Sequence, residues 1–273
     1  MPNDFLTKLT NSTAKRDSWL CVGLDPVLER LPRGISRDAN GVVAFCQRII
    51  EATSPYAATF KPNIAFFETL GRDGWLALSD VCSAVPSDIP IILDAKRGDI
   101  GNTAERYAEA YYDVLGVDAV TVNPYMGWDA VKPFATRPGK AAIVLCLTSN
   151  ASAQDLQFAR IADDGNEPLF CRVARLVRRW EGTCGLVVGA TKAEHIAVVR
   201  NLAPRNVLLI PGIGTQGGDL ETSVQNGAWE GGGGALINAS RSILFASSGE
   251  DFAEAAATEA KRLQEELSRA QPR

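Results

Sequence analysis

The fold of this chain is indicated first by residues 91–99, which read IILDAKRGD. The stretch opens with an apolar run of the kind found in strands that are buried on both faces, and Asp94, Lys96 and Asp99 follow it. Asp94 and Lys96 are two positions apart, so we expect them to share a face as long as the chain stays extended. The stretch therefore predicts a buried strand of a parallel sheet with a charged carboxyl end.

Similar short apolar runs alternate with longer amphipathic segments on both sides of this strand, a pattern typical of a parallel sheet covered by helices. The predicted strands are Trp19–Leu24, Ala58–Phe60, Ile91–Asp94, Ala119–Val122, Ala141–Leu147, Leu186–Val188, Val207–Ile210 and Ala235–Asn238. The predicted helices include Gly41–Thr53, Asn63–Leu70, Thr103–Leu115, Leu169–Trp180, Ala193–Leu202 and Glu250–Ala270. This strand number and a length of 273 residues fit an α/β fold of the (β/α)8 TIM-barrel type. We expect a single domain over residues 1–273, with an open doubly wound sheet as the alternative.

Composition and charge exclude several classes of protein. Hydrophobic residues make up 46% of the chain and charged residues 22%, as is usual for globular proteins. The net charge of −4 and the lack of a strongly basic stretch argue against a nucleic-acid partner. The sequence has no long apolar run, so no membrane span is predicted, and its first residues do not have the pattern of a signal peptide.

The cysteines and the histidine indicate neither a metal site nor a disulfide framework. Six cysteines are present, and none forms a C-x-x-C pair. Several lie within apolar runs, where a free cysteine packs as a small hydrophobic side chain. We therefore expect reduced thiols and a cytoplasmic location. His195 is the only histidine, so a histidine-based triad is not expected, and we assign it a structural or solvated role.

Charged residues follow three consecutive predicted strands. Asp25 comes after the first strand and Lys61 after the second, and the third ends in Asp94, Lys96 and Asp99. Because the carboxyl ends of barrel strands face the active site, we expect Lys61, Lys96 and the carboxylates of the third strand to form one crowded network. A lysine held between carboxylates stays protonated, so it acts as a general acid and a fixed cation. This favours a reaction in which negative charge develops on the substrate.

The last two strands predict a phosphate site. The seventh strand leads into a glycine-rich stretch at residues 211–219, and the eighth is followed by Ser240 and Arg241. Loops at these positions commonly bind phosphate in barrels, and an arginine adds a charge-assisted contact. The alternative is two glycine-rich turns and a surface arginine. We interpret Gly231–Gly234 as a flexible connection, and Ser149–Glu167 as a long irregular loop.

The charged stretch has the pattern D-x-K-x-x-D, and with it the sequence resembles the orotidine 5'-monophosphate decarboxylase family. The sequence DAKRGDIGNT at residues 94–103 resembles that of the longer bacterial branch, type 2, of the family. Further matching segments are Val22–Pro26, Phe60–Asn63, Leu147–Asn150, Pro211–Asp219 and Ala239–Ile243. The pattern alone also occurs in sugar-phosphate decarboxylases and synthases of the same superfamily, whereas all the segments in order are specific. One departure is Ala151-Ser152, where this branch has Pro-Gly, and it affects the conformation of the loop.

The resemblance implies a lyase that converts orotidine 5'-phosphate to UMP and carbon dioxide in pyrimidine biosynthesis, without a cofactor or a metal. It implies that Lys96 donates the proton to C6 of the pyrimidine. Asp94 and Asp99 would flank this lysine, and Lys61 would complete the charge network. The family is dimeric, so we expect a homodimer in which Asp99 and Thr103 reach the substrate of the neighbouring subunit.

The resemblance also implies contacts with the rest of the substrate. Asp25 and Lys61 would bind ribose hydroxyls, and Ser149 would contact the pyrimidine. Gln216 and Arg241 would hold the phosphate. The resemblance implies these roles because the residue types at these positions match the pattern of the family.

Two other functions stay open at the level of the sequence. A related sugar-phosphate lyase would use Mg²⁺ and would lose activity with EDTA. A barrel that binds phosphate ligands without catalysis would bind UMP and show no turnover. The charges at Lys61, Asp94, Lys96 and Asp99 argue against a pure binding protein, because such a protein has no need for clustered carboxylates.

Overall fold

The computed structural model describes residues 4–162, 165–189, 193–212 and 220–272. The parallel strands in these ranges are β1 (Leu20–Leu24), β2 (Thr59–Pro62), β3 (Ile92–Arg97), β4 (Ala119–Val122), β5 (Ala141–Leu147), β8 (Cys184–Val188), β9 (Leu208–Pro211) and β10 (Ala235–Ala239). A separate antiparallel hairpin consists of β6 (Arg160–Ile161) and β7 (Glu167–Pro168).

Helices connect the strands along the chain. Their bounds are α1 (Phe5–Arg16), α2 (Ala39–Thr53), α3 (Ile64–Glu68), α4 (Gly74–Ser83), α5 (Gly101–Glu109), α6 (Trp128–Ala135), α7 (Ala153–Leu156), α8 (Leu169–Arg179), α9 (Ala193–Leu202), α10 (Leu220–Gly227), α11 (Arg241–Leu244) and α12 (Phe252–Ala270). A π-helical turn at Ala110–Val114 extends α5. Among the described residues, no helix is both long enough and apolar enough to cross a membrane.

Hydrogen bonds set the strands in the order β2-β1-β10-β9-β8-β5-β4-β3. Isolated parallel bridges between Phe60 and Ile91, and between Asn63 and Asp94, join β2 to β3, which are the two ends of this order. The ring of eight strands therefore closes, which is the defining property of a barrel. The predicted (β/α)8 TIM barrel is confirmed, and the open doubly wound sheet is excluded.

The chain divides into two compact units. Within the described ranges, the first unit contains residues 4–95, 109–119 and 239–269, and the second contains residues 96–108, 120–238 and 270–272. In the first unit, aromatic packing of Phe45 on Phe252, with ring centroids 5.3 Å apart, joins α2 to α12. The single domain expected over the whole chain stays a prediction.

The predicted bounds of β4, β5 and α9 agree with the structure, whereas those of β3 and α5 do not. Strand β3 continues to Arg97 because its pairing continues there, with the Asn123 N–H donating to the Arg97 carbonyl at 2.7 Å. Helix α5 then begins at Gly101, two residues before its predicted start. Lys96 is therefore part of the strand, whereas Asp99 lies in the loop that follows it.

One prediction about loops is corrected by the structure. The loop predicted over Ser149–Glu167 contains the short helix α7 and strand β6, which pairs with β7. In the run Gly231–Gly234, whose flexibility stays a prediction, all four glycines have positive φ between 78° and 95°. The Trp229 indole N–H donates to the Gly232 carbonyl and covers the turn. A Cβ at Gly234 would lie 2.4 Å from the indole ring, so close packing against Trp229 requires glycine there.

Candidate active site

A buried ion pair joins the carboxyl ends of β2 and β3. Lys61 Nζ donates a hydrogen bond of 2.9 Å to Asp94 Oδ2. The two residues are only 4% and 9% exposed, and charged groups at such depth require a partner. Burial acts to lower the pKa of the Lys61 ammonium, but the nearby carboxylates of Asp94 and Asp25 outweigh it, so the pKa is raised above its usual value. Lys61 is therefore a permanent cation at neutral pH.

Two buried oxygen atoms of the same unit have no hydrogen-bond partner among the described residues. They are Asp25 Oδ1, after β1, and Ser240 Oγ, after β10. An unsatisfied buried polar atom is costly, and a bound ligand is one explanation for it. From the sequence, Ser240 is only the neighbour of Arg241 in the predicted phosphate site and has no predicted role of its own.

The backbone at Lys96 is not extended as the sequence analysis expected. Lys96 has a φ of +47°, in the left-handed region that is unfavourable for any residue with a Cβ. Its N–H donates a hydrogen bond of 2.9 Å to Thr121 Oγ1, which holds the residue to the neighbouring strand β4. The alternation of faces along β3 therefore ends at Lys96, whose side chain is exposed. Backbone strain of this kind is often found at functional sites.

Asp99 lies between β3 and α5, and Thr103 lies at the start of α5, both in the second unit. Asp99 is half-buried, and its Oδ1 accepts a hydrogen bond of 2.8 Å from the N–H of Ile100. Thr103 is exposed in the first turns of α5. Neither side chain is enclosed by its own unit, which leaves both accessible at this surface.

Ser149 follows β5 and lies against the end of β8. A Cβ placed on Gly189 would be 2.8 Å from the Ser149 backbone nitrogen, so only glycine allows this close approach. The Gly189 N–H donates to the Leu147 carbonyl at 2.8 Å, which fixes the two chain segments to each other. The half-buried Ser149 is thus held at a defined position.

Only part of the predicted phosphate site, including Arg241, lies within the described residues. Arg241 is the first residue of α11, and it is exposed. Gln216 and the stretch 213–219 lie outside the described residues. The structure thus brings together Asp25, Lys61 and Asp94 in one unit.

In the described ranges, no group of three or more His, Cys, Asp or Glu side chains is arranged to hold a metal ion.

Comparison with known proteins agrees with the geometry. Residues 18–256 match the family model described as "Orotidine 5'-phosphate decarboxylase / HUMPS family". A protein of Herpetosiphon aurantiacus named orotidine 5'-phosphate decarboxylase is 49% identical, over 92% of this chain and 93% of that protein. A protein of the same name from a Roseiflexus species is 50% identical, over 95% and 96%. The solved structure of Leishmania donovani OMP decarboxylase has a TM-score of 0.82 and 41% identity, covering 96% of this chain and 98% of that one. This chain therefore belongs to the orotidine 5'-phosphate decarboxylase family.

Proposed function

We propose that this chain performs the reaction for which its relatives are named, the conversion of orotidine 5'-phosphate to UMP and carbon dioxide, which is a step of pyrimidine biosynthesis. The observation that carries the proposal is the buried pair of Lys61 and Asp94 at the carboxyl ends of β2 and β3, in a chain of this family. A purely structural pair is a poor explanation, because apolar residues of similar volume usually stabilise a core at least as well.

The chemistry of the reaction requires fixed positive charge. Loss of carbon dioxide leaves a carbanion at C6 that the ring carbonyls delocalise poorly, so catalysis depends on charge aimed at that carbon. In our proposal the Lys96 ammonium supplies this charge and then transfers its proton to C6. Asp94 of the same subunit and Asp99 of the partner subunit are the carboxylates that flank it, and Lys61 balances their charge. No cofactor takes part in this scheme.

The remaining site residues bind the parts of the substrate that do not react. Asp25 and Lys61 bind ribose hydroxyls, and the unpartnered Asp25 Oδ1 supports this role. Ser149 contacts the pyrimidine, and Gln216 and Arg241 hold the phosphate. Binding energy from the distant phosphate helps to order the site around the reacting carbon.

We further propose a homodimer with a shared active site, in which Asp99 and Thr103 act on the substrate of the other subunit. Apolar side chains on the surface next to these residues support it, because Ile100, Tyr125 and Met126 are 56%, 78% and 46% exposed. Patches of this kind are typical of protein interfaces. Six buried cysteines without disulfides support a reducing, cytoplasmic location.

Release of carbon dioxide from orotidine 5'-phosphate tests the proposed reaction. The wild-type protein should turn over with and without EDTA, Lys96→Ala should be inactive, and Lys132→Ala, which changes an exposed lysine on α6, should keep full activity. Activity that EDTA removes would favour the Mg²⁺-dependent lyase. UMP binding without turnover would favour a binding protein.

Mixing two inactive variants tests the shared site. Lys96→Ala and Asp99→Ala subunits should together regain about one quarter of the wild-type activity, since half of the dimers are mixed and each mixed dimer has one intact site of two. Subunits that exchange freely without regaining activity would contradict the proposed dimer site.

A further inference from the structure

We propose that Gln157 is a positioning residue that holds the Ser149 segment in place and thereby sets the affinity of the site for the pyrimidine base. The inference rests on the proposed function, because it takes Ser149 as the contact with the base. Gln157 lies directly after α7, eight residues beyond Ser149 in the chain.

The Gln157 side chain makes two hydrogen bonds to the residue before Ser149. The Thr148 N–H donates to Gln157 Oε1 at 2.8 Å, and Gln157 Nε2 donates to Thr148 Oγ1 at 2.7 Å. The Thr148 hydroxyl in turn donates to Asn150 Oδ1 at 2.6 Å. Both residues next to Ser149 are therefore fixed by one connected set of hydrogen bonds that begins at Gln157.

These hydrogen bonds, more than close packing, hold the Gln157 side chain. The residue borders a cavity of about 390 Å³ whose walls also include Tyr125, Leu156 and Trp180. Open space on that side leaves the side chain room to move if its two polar contacts are lost. The cavity also means that an apolar side chain of similar size fits at position 157 without overpacking.

The backbone of Gln157 is fixed more firmly than its side chain. The Gln157 N–H donates to the Ala153 carbonyl at 2.8 Å, and the Phe170 N–H donates to the Gln157 carbonyl at 3.1 Å. The adjacent Phe158 packs on Phe170 and His195, with ring centroids 5.5 Å and 5.3 Å away. Gln157 therefore connects this packed support to Thr148.

Ser149 is thus confined from two sides. Gln157 holds the residue before it, and Gly189 leaves no room for a shift towards β8. Removal of the Gln157 contacts frees the segment on one side only, so Ser149 can move away from its position. Such a movement affects a ligand that carries the pyrimidine, but not one that carries only the ribose and the phosphate.

The test compares two ligands and two matched variants. Gln157→Leu removes both hydrogen bonds, and Gln154→Leu makes the same change at an exposed glutamine of α7 that serves as the control. Dissociation constants are measured for UMP and for ribose 5-phosphate, which lacks the base, together with kcat and KM for orotidine 5'-phosphate. We expect Gln157→Leu to weaken UMP about tenfold, equivalent to about 1.4 kcal/mol, to raise KM in parallel, and to leave ribose 5-phosphate unchanged. Gln154→Leu should change none of these values.

A second variant covers the case in which Gln157→Leu does not fold. Gln157→Glu keeps an acceptor for the Thr148 N–H and loses the amide donor, so its loss of UMP affinity should be smaller than that of Gln157→Leu. An equal loss for UMP and ribose 5-phosphate, or no loss for either in both variants, overturns the inference while the decarboxylase function stands. A wild-type protein that neither binds UMP nor releases carbon dioxide overturns the proposed function itself, and the inference with it.

Discussion

Lys61 Nζ and Asp94 Oδ2, on the neighbouring strands β2 and β3, are 2.9 Å apart in the interior of the protein. Each charge is tolerated there because of the other, and Asp25 adds a weaker attraction for the ammonium. In our proposal the reaction depends on the same two side chains as this contact, and variants can separate their contributions to stability and to chemistry.

Asp94→Asn is expected to lower the free energy of unfolding by about 3 kcal/mol, because the Lys61 ammonium then stays buried without its main anionic partner. Urea denaturation at pH 7 measures the loss. The double variant Lys61→Met/Asp94→Leu removes both charges and should recover most of the stability, while both proteins stay inactive. An Asp94→Asn protein as stable as the wild type would show that the pair is not buried in the way described.

Lys96→Gly is expected to be more stable than Lys96→Ala by about 1 kcal/mol, although both lose turnover. Glycine adopts the observed φ of +47° without the steric cost that alanine has. Thermal or urea unfolding measures the difference. At Lys132, in helix α6, the order should be reversed, with glycine less stable than alanine by about 1 kcal/mol. The same order at both positions would contradict a left-handed backbone at Lys96.

Gly234→Ala is expected to destabilise the protein more than Gly231→Ala, by about 1–3 kcal/mol. Both glycines have positive φ, at 78° and 91°, so both substitutions introduce the same kind of backbone strain. A new Cβ meets the Trp229 ring at Gly234 only, since no atom lies within 4 Å of the Cβ position at Gly231. Urea denaturation of both variants measures the difference, and equal losses would show that Trp229 does not pack against the turn.

The carboxylate of Asp88 connects α1 to the segment before β3, and it should give a small dependence of stability on pH. Hydrogen bonds from Lys15 and Arg16, at 2.8 and 2.9 Å, lower the pKa of Asp88 to about 2. Because the folded pKa lies below the unfolded value, the contribution is complete above about pH 4 and is lost as the pH falls towards 2. Asp88 is 44% exposed, so the contribution is below about 1 kcal/mol.

Asp88→Asn should therefore be slightly less stable than the wild type at pH 6, and the difference should shrink as the pH falls from 4 towards 2. Urea denaturation of both proteins across this range measures the difference. A difference that grows as the pH falls would have the wrong sign and would contradict the ion pair.

Most barrel strands could be predicted from the sequence, because strands buried on both faces form continuous apolar runs. Strands β4 and β5 were predicted to the residue for this reason. Helix α1 buries Phe5, Leu9 and Ser12 at helical spacing, but Ser12 is polar and the apolar Leu6 is exposed, so its sequence lacks a clear apolar stripe. Helix α6 contains Pro133, a residue that normally indicates the end of a helix.

The charged residues of the candidate site were also predictable in part. Their positions at strand ends follow from the sequence, and so does the pairing of opposite charges such as Lys61 with Asp94. The left-handed backbone of Lys96 was not predictable, because lysine carries no local signal for positive φ. The Gln157 contacts were missed for a similar reason, since they join side chains across a loop whose folding depends on α7 and β6.

The bridges that close the ring between β2 and β3 are isolated, at Phe60–Ile91 and Asn63–Asp94, whereas β1 and β2 pair over four consecutive residues. Lys61 and Asp94 therefore add a side-chain contact between β2 and β3, where the backbone pairing is sparser than between β1 and β2. A descendant protein that no longer needed the reaction would still need side-chain contacts between β2 and β3. Selection for folding alone would slow the drift of both positions, and their replacement would have to be simultaneous.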